Sequence, residues 1–138
     1  MSARNTSKIP HRNQSPYGWW IVSYLVRLER KGHAETNPRA RCLAWENTVI
    51  FQAKDREKAY RKALLLARPS RTWDVQDHGP PTRWVLEGLT SLLPVYDPIA
   101  DGCEVMWREF RGKTRKTVAA MVRSKRALAC FDDSDLST

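Results

Sequence analysis

The residues with the greatest chemical potential in this chain are cations. Arg108, Arg111, Lys113, Arg115, Lys116, Arg123, Lys125 and Arg126 crowd a C-terminal stretch around a small apolar stripe. Lys54, Arg56, Lys58, Arg61, Lys62 and Arg68 form a second cluster at helical spacing. Clusters of this kind neutralise phosphates or carboxylates. On nucleic acid, each phosphate contact releases counterions and affinity falls steeply with salt. The chain also carries six Trp, and an exposed indole beside such a patch would stack on unpaired bases. No helix-turn-helix glycine pattern, zinc finger or aromatic RNA-recognition signature accompanies the cations. A solvated basic face explains them equally well.

Other chemistries are thinly represented. Glu46, Asn47 and Glu104, with Arg108 nearby, are the one polar set that could form a small site. Paired-carboxylate catalysis needs two acids in contrasting environments. Cross-strand ion pairing on a wet sheet face is the plainer reading. His11, His33 and His78 fall in an arm and two loops, with no H-x-x-x-H pair, so no metal site is expected. Asp74, Asp77 and His78 read as a turn-forming loop. Cys42 follows Arg39 and Arg41, the kind of cationic setting that activates a thiol; it also suits an ordinary loop. There is no G-x-S-x-G and no glycine-rich phosphate loop. No cofactor is implied.

The chain has 138 residues, a net charge of +9 and three cysteines. That length suits one domain with a core large enough to need no disulfides. An odd cysteine count without C-x-x-C spacing fits reduced thiols in the cytoplasm. Basic charge gathers in residues 1–68 and 108–138, while 69–107 is net acidic. No apolar run reaches the ~18 residues a membrane helix needs, and no cleavage site follows the first apolar run.

The elements that must position these residues are readable in outline. Residues 1–17 read as a disordered basic arm and 132–138 as an acidic tail, leaving one domain over 18–131. The run from Gly18 to Glu29 is apolar and rich in β-branched and aromatic residues, which predicts a strand buried on both faces at its start. Near-alternation predicts a half-exposed strand over 43–53. A stripe of Ala59, Ala63, Leu66 and Ala67 predicts a helix over 55–68, with Asp55 as its cap or in its first turn and Pro69 as its stop. A third strand is expected over 83–93, with Gly88 hinting at a bulge. A fourth is expected over 103–110, a short helix over 114–124 and a short edge strand at 128–131. The resulting fold class is α+β: a single antiparallel sheet of four to five strands, order β-β-α-β-β-α, with one main helix packed on a face.

Several segments together resemble a known family. They are the Trp19-Trp20 opening of the first strand, Trp45-Glu46-Asn47-Thr48, and Glu57-Lys58-Ala59-Tyr60-Arg61-Lys62-Ala63. Trp84-Val85-Leu86-Glu87-Gly88-Leu89 and Asp101-Gly102-Cys103-Glu104-Val105 complete the set. Over about residues 18–110 the chain resembles the small bacterial family called domain of unknown function 4288. The resemblance implies a compact bacterial α+β domain and brings no assigned activity.

The sequence therefore points to a non-enzymatic interaction protein of the cytoplasm, of accessory or immunity type, that binds a protein partner with an acidic surface. The alternative is a nucleic-acid binder using the basic helix, with Arg61 and Lys62, and the basic segment Arg108 to Arg126. No membrane partner is expected, and the oligomeric state is left open. An interaction protein should show an exposed Trp-bearing patch or a self-paired sheet edge. A nucleic-acid binder should show one contiguous basic face, and an enzyme a cleft holding both Glu46 and Glu104.

Overall fold

The sheet is built around its first strand. In the computed structural model, which describes residues 9–32 and 37–134, β1 (Trp19–Arg30) lies between β2 (Ala44–Gln52) and β3 (Thr82–Pro94). Both pairings are antiparallel. One helix, α1 (Arg56–Leu66), joins β2 to β3. A six-residue helix, α2 (Arg115–Ala120), lies further on. The chain divides into two compact units, Met1–Trp107 and Arg108–Thr138.

The central position of β1 explains its composition. Trp20, Ile21, Val22 and Val26 are all buried, so the strand loses water from both faces where it starts. Full burial of such a side chain contributes about 1.5–3 kcal/mol. Trp20, Val22 and Phe51 form the core with Ala59 and Ala63 of α1, and Leu89, Leu92, Tyr24 and Val49 pack against it. The helix contacts the sheet through alanines four residues apart. Their small side chains let the helix backbone approach the large rings below. The Trp20 indole N–H is satisfied by the Ala53 carbonyl at 3.1 Å.

Capping fixes α1 at both ends. The Asp55 carboxylate accepts from the Lys58 backbone N–H at 2.8 Å, and Glu57 sits in the positive first turn. Ala67 caps the C-terminus, and Pro69 prevents continuation.

β3 departs from regular pairing twice. Ser23 faces Ser91 and Tyr24 faces Leu89, so Thr90 is an extra residue; Leu25 faces Gly88 and Val26 faces Leu86, so Glu87 is another. Gly88, between them, has φ 156°. Bulges re-aim side chains, and here both extra residues find polar partners. Thr90 Oγ1 donates to Glu46 Oε2 at 2.7 Å, and Arg27 Nε donates to Glu87 Oε1 at 2.7 Å.

The expected sheet of four to five strands, order β-β-α-β-β-α, is corrected to three strands in the order β-β-α-β, with β1 in the middle. Residues 103–110 are irregular, not a fourth strand. Their donors are used locally: Cys103 N–H bonds the Ala100 carbonyl at 3.0 Å, and Glu104 N–H bonds Asp97 Oδ2 at 3.2 Å. Cys103 and Trp107 are half-buried while Glu104, Val105 and Met106 are exposed. Val105 breaks the expected apolar face, so the alternation of the sequence is matched neither by a ladder nor by alternating burial. The apolar run at 128–131 forms a 3₁₀ turn at Ala129–Phe131, not an edge strand.

Of the N-terminal arm, residues 1–8 lie outside the described residues. Beyond them stands a 3₁₀ turn, His11–Asn13. Ser15 Oγ lies 2.7 Å from the Trp19 carbonyl and 3.1 Å from that of Val95, and Tyr96 Oη donates to the Arg12 carbonyl. Residues 135–138 of the acidic tail also fall outside the described residues. No helix among the described residues is long and apolar enough to cross a membrane.

Candidate functional site

Where α1 ends, the chain turns at Pro69 and runs back beside the start of β3, and Asp74 bridges to Thr82. Between this return segment and β3 lies a cleft of about 550 Å³, lined by Arg68, Pro69, Ser70, Arg71, Arg83, Trp84, Val85 and Leu86. Three of the eight lining residues are arginines and none is acidic. Among the described residues, neither Arg68 nor Arg71 has a carboxylate within salt-bridge distance. Arg83 is anchored: its guanidinium carbon lies 4.1 Å from the Trp73 ring centroid, and Nη2 is 3.6 Å from Glu29 Oε1.

Trp84 forms one wall, and its ring packs on Trp45 with centroids 4.8 Å apart and planes tilted by 41°. Register explains the meeting. Trp45 faces Val26 and Trp84 faces Leu28, so the two indoles flank β1 on the face that α1 covers further along. Trp45 keeps 54% of its surface exposed. The cleft lining thus combines three guanidinium groups with the Trp84 ring. That chemistry suits bidentate contacts to carboxylates.

Two other clefts differ in character. One, about 640 Å³, lies at the C-terminal end of β1, the end beside which β3 begins, and includes Arg27, Arg30, Arg41 and Cys42, but also Glu29 and Glu87. There the Glu87 hydrogen bond raises the Arg27 pKa above the usual guanidinium value, against slight desolvation, with help from the charges of Glu87 and Glu29. Its cations are thus partly neutralised from within. The other, about 250 Å³, lies between α1 and the sheet beside Trp20, Tyr60 and Leu92.

The residues singled out by sequence are divided between the two units. Arg61 Nε contacts the Glu57 carbonyl at 3.4 Å. Lys62 Nζ donates to the Gln52 carbonyl at 3.0 Å and sits 6.0 Å from the Phe51 ring. Both cations are therefore tied to local partners and line none of the three clefts. Glu46 accepts from Thr90, and Asn47 is half-buried in β2. Glu104 is exposed on an irregular segment, and neither Glu46 nor Glu104 lines any of these clefts.

The cations from Arg108 to Arg126 belong to the second unit, where every described residue is exposed. Arg108 lies over the Phe110 ring at 5.2 Å and Lys125 over Phe131 at 5.1 Å. Arg111 pairs with Glu109 at 3.1 Å. Lys113 precedes the Thr114 cap, while Arg115 and Lys116 open α2. Arg123 follows that helix, and Lys125 and Arg126 lie in a 3₁₀ turn.

Sequence reasoning missed Arg71, Arg83, Trp73 and Trp84 as a set. The available signal was the Pro69-Ser70-Arg71 turn after the helix, with Arg83-Trp84 opening the next strand. Among the described residues no group of three His, Cys, Asp or Glu could hold a metal ion. Cys42, Cys103 and Cys130 are free thiols.

No curated protein and no solved structure matches the chain. A family model matches residues 19–107, the span from the first residue of β1 to the end of the first unit, and the arginine cleft falls wholly within it. The chain belongs to the family described as Domain of unknown function (DUF4288).

Proposed function

We propose that this protein is a non-enzymatic interaction module that captures an acidic protein partner in the arginine cleft between the segment after α1 and the start of β3. The observation that carries the reading is the placement of Arg68, Arg71 and Arg83 around Trp84 with no acidic residue in the lining. Arginine and tryptophan are the residues most enriched where partner proteins bind tightly. Anchoring Arg83 before binding lowers the entropy lost on contact. The basic balance of the chain speeds approach of an acidic surface. An accessory or immunity-type role in the bacterial cytoplasm fits three free cysteines and reducing surroundings.

Fluorescence anisotropy tests the reading, with a labelled glutamate-rich peptide and labelled single- and double-stranded DNA titrated in parallel. The peptide should bind at low salt, and Arg68→Ala or Arg71→Ala should each weaken it about tenfold, or about 1.4 kcal/mol. The reading fails if the peptide does not bind at low salt. It also fails if DNA binds more tightly and responds to neutralising Arg115, Lys116, Lys125 and Arg126 but not Arg68 and Arg71. That second result would establish the nucleic-acid alternative.

A further inference from the structure

The two edges of the sheet are unlike. The β3 edge is interrupted by bulges at Glu87 and Thr90 and ends at Pro94. The β2 edge runs nine residues with no Pro, Lys or Arg and one charge, Glu46. Edge strands are ordinarily guarded by proline, lysine or a bulge, because open backbone groups recruit another strand. β2 has none of these guards.

Its free groups can be located. At one end the Leu28 N–H donates to the Leu43 carbonyl, and at the other the Ala53 N–H donates to the Gly18 carbonyl, both at 2.9 Å. Antiparallel pairs alternate in hydrogen bonding. Odd-numbered residues of β2 therefore turn their backbone toward β1, and Ala44, Glu46, Thr48 and Ile50 turn theirs outward. The outward Gln52 carbonyl is taken by Lys62, which sets one limit of the open edge.

The side chains identify the occupant. Antiparallel pairing of β2 with itself about Asn47 places Leu43 opposite Phe51, Ala44 opposite Ile50 and Trp45 opposite Val49. Glu46 then faces Thr48, and Asn47 faces its own copy. Every apolar residue meets an apolar one and every polar residue a polar one. Moving the axis to Thr48 sets Glu46 against Ile50 and Asn47 against Val49. Self-complementarity of this kind is what a two-fold interface requires. Thr90 draws the Glu46 carboxylate inward over β1, away from its counterpart. Leu43 and Ile50, 52% and 42% exposed, would be covered along with Trp45.

We propose that a second copy of this chain docks on the β2 edge, pairing antiparallel about Asn47 to form a six-stranded sheet. The contact is independent of the arginine cleft. It is small for a stable interface, so half-dissociation falls on the order of 10 μM.

Sedimentation equilibrium of the full chain from about 1 to 100 μM tests this against that affinity range. A concentration-dependent shift to twice the monomer mass is expected. Ile50→Lys should weaken association at least tenfold, and adding Ala44→Glu should restore it, because those positions face each other. Circular dichroism checks that the variants fold. In a background where Cys42, Cys103 and Cys130 are serine, Asn47→Cys should oxidise to a covalent dimer. Non-hydrogen-bonded antiparallel partners sit about 4.5 Å apart at Cα, within disulfide reach. A monomer throughout overturns the proposal. So does a dimer indifferent to Ile50→Lys and not crosslinked through Asn47→Cys, and so does an edge that pairs only with an added extended peptide.

Discussion

Ser23 is the one polar residue buried in the sheet among those described, and its hydroxyl meets that of Thr48 at 2.8 Å. Thr48 is exposed, so water can replace Ser23 as its partner, whereas the buried Ser23 hydroxyl has no such substitute. Thr48→Val alone should cost about 1–3 kcal/mol, whereas Ser23→Ala with Thr48→Val should be nearly neutral. A double-mutant cycle in urea reads the difference, and additive losses would show that the pair is not coupled. A second residue-scale test concerns spacing. Ala63 is fully buried against the core formed by Trp20, Val22 and Phe51. Ala63→Leu should lower stability by about 1–3 kcal/mol through overpacking, and an unchanged urea midpoint would mean that α1 is not held close to the sheet.

At the scale of elements, α1 and α2 should behave differently. α1 has a buried alanine stripe and an aspartate cap, and Asp55→Ala should cost about 1 kcal/mol. α2 is six residues long, opens with two cations against the helix dipole, and buries nothing. Amide exchange should therefore be nearly unprotected across 108–134 and slowest in the central strand β1; protection in α2 equal to that of β1 would contradict this. The same contrast explains what could be read in the sequence. β1, β2, α1 and β3 were legible because burial writes itself into composition: Trp20 to Val22 at a two-sided start, Ala59 and Ala63 at helical spacing. Gly88 announced a bulge, but the offsets at Thr90 and Glu87 depend on pairing with β1 and leave no mark in β3 alone. In 103–110, Val105 is exposed between half-buried Cys103 and Trp107, and alternation in sequence does not reveal whether a ladder is present. The cleft was illegible for another reason. Arg71 and Arg83 lie in the net-acidic stretch of the chain, so averaging charge along the sequence hid them, while the abundant cations of the second unit drew attention away.

At the scale of the molecule, the proposed cleft and the proposed β2 pairing would act together. A pair joined at β2 would carry its arginine clefts at the two outer β3 ends of one sheet. Such a pair is bivalent, and a partner with repeated acidic sites would gain avidity without any new contact. Salt should weaken capture, because the arginines are partly exposed and screening at physiological ionic strength acts over about 8 Å. The most direct test of the cleft is a proton–nitrogen NMR titration of the full chain with a glutamate-rich peptide. Binding in the cleft predicts that the indole signals of Trp73 and Trp84 and the amides of Arg68, Ser70, Arg71 and residues 83–86 shift first and together. Shifts confined to residues 108–131, with the two indole signals unmoved, would contradict it and assign acid recognition to the second unit.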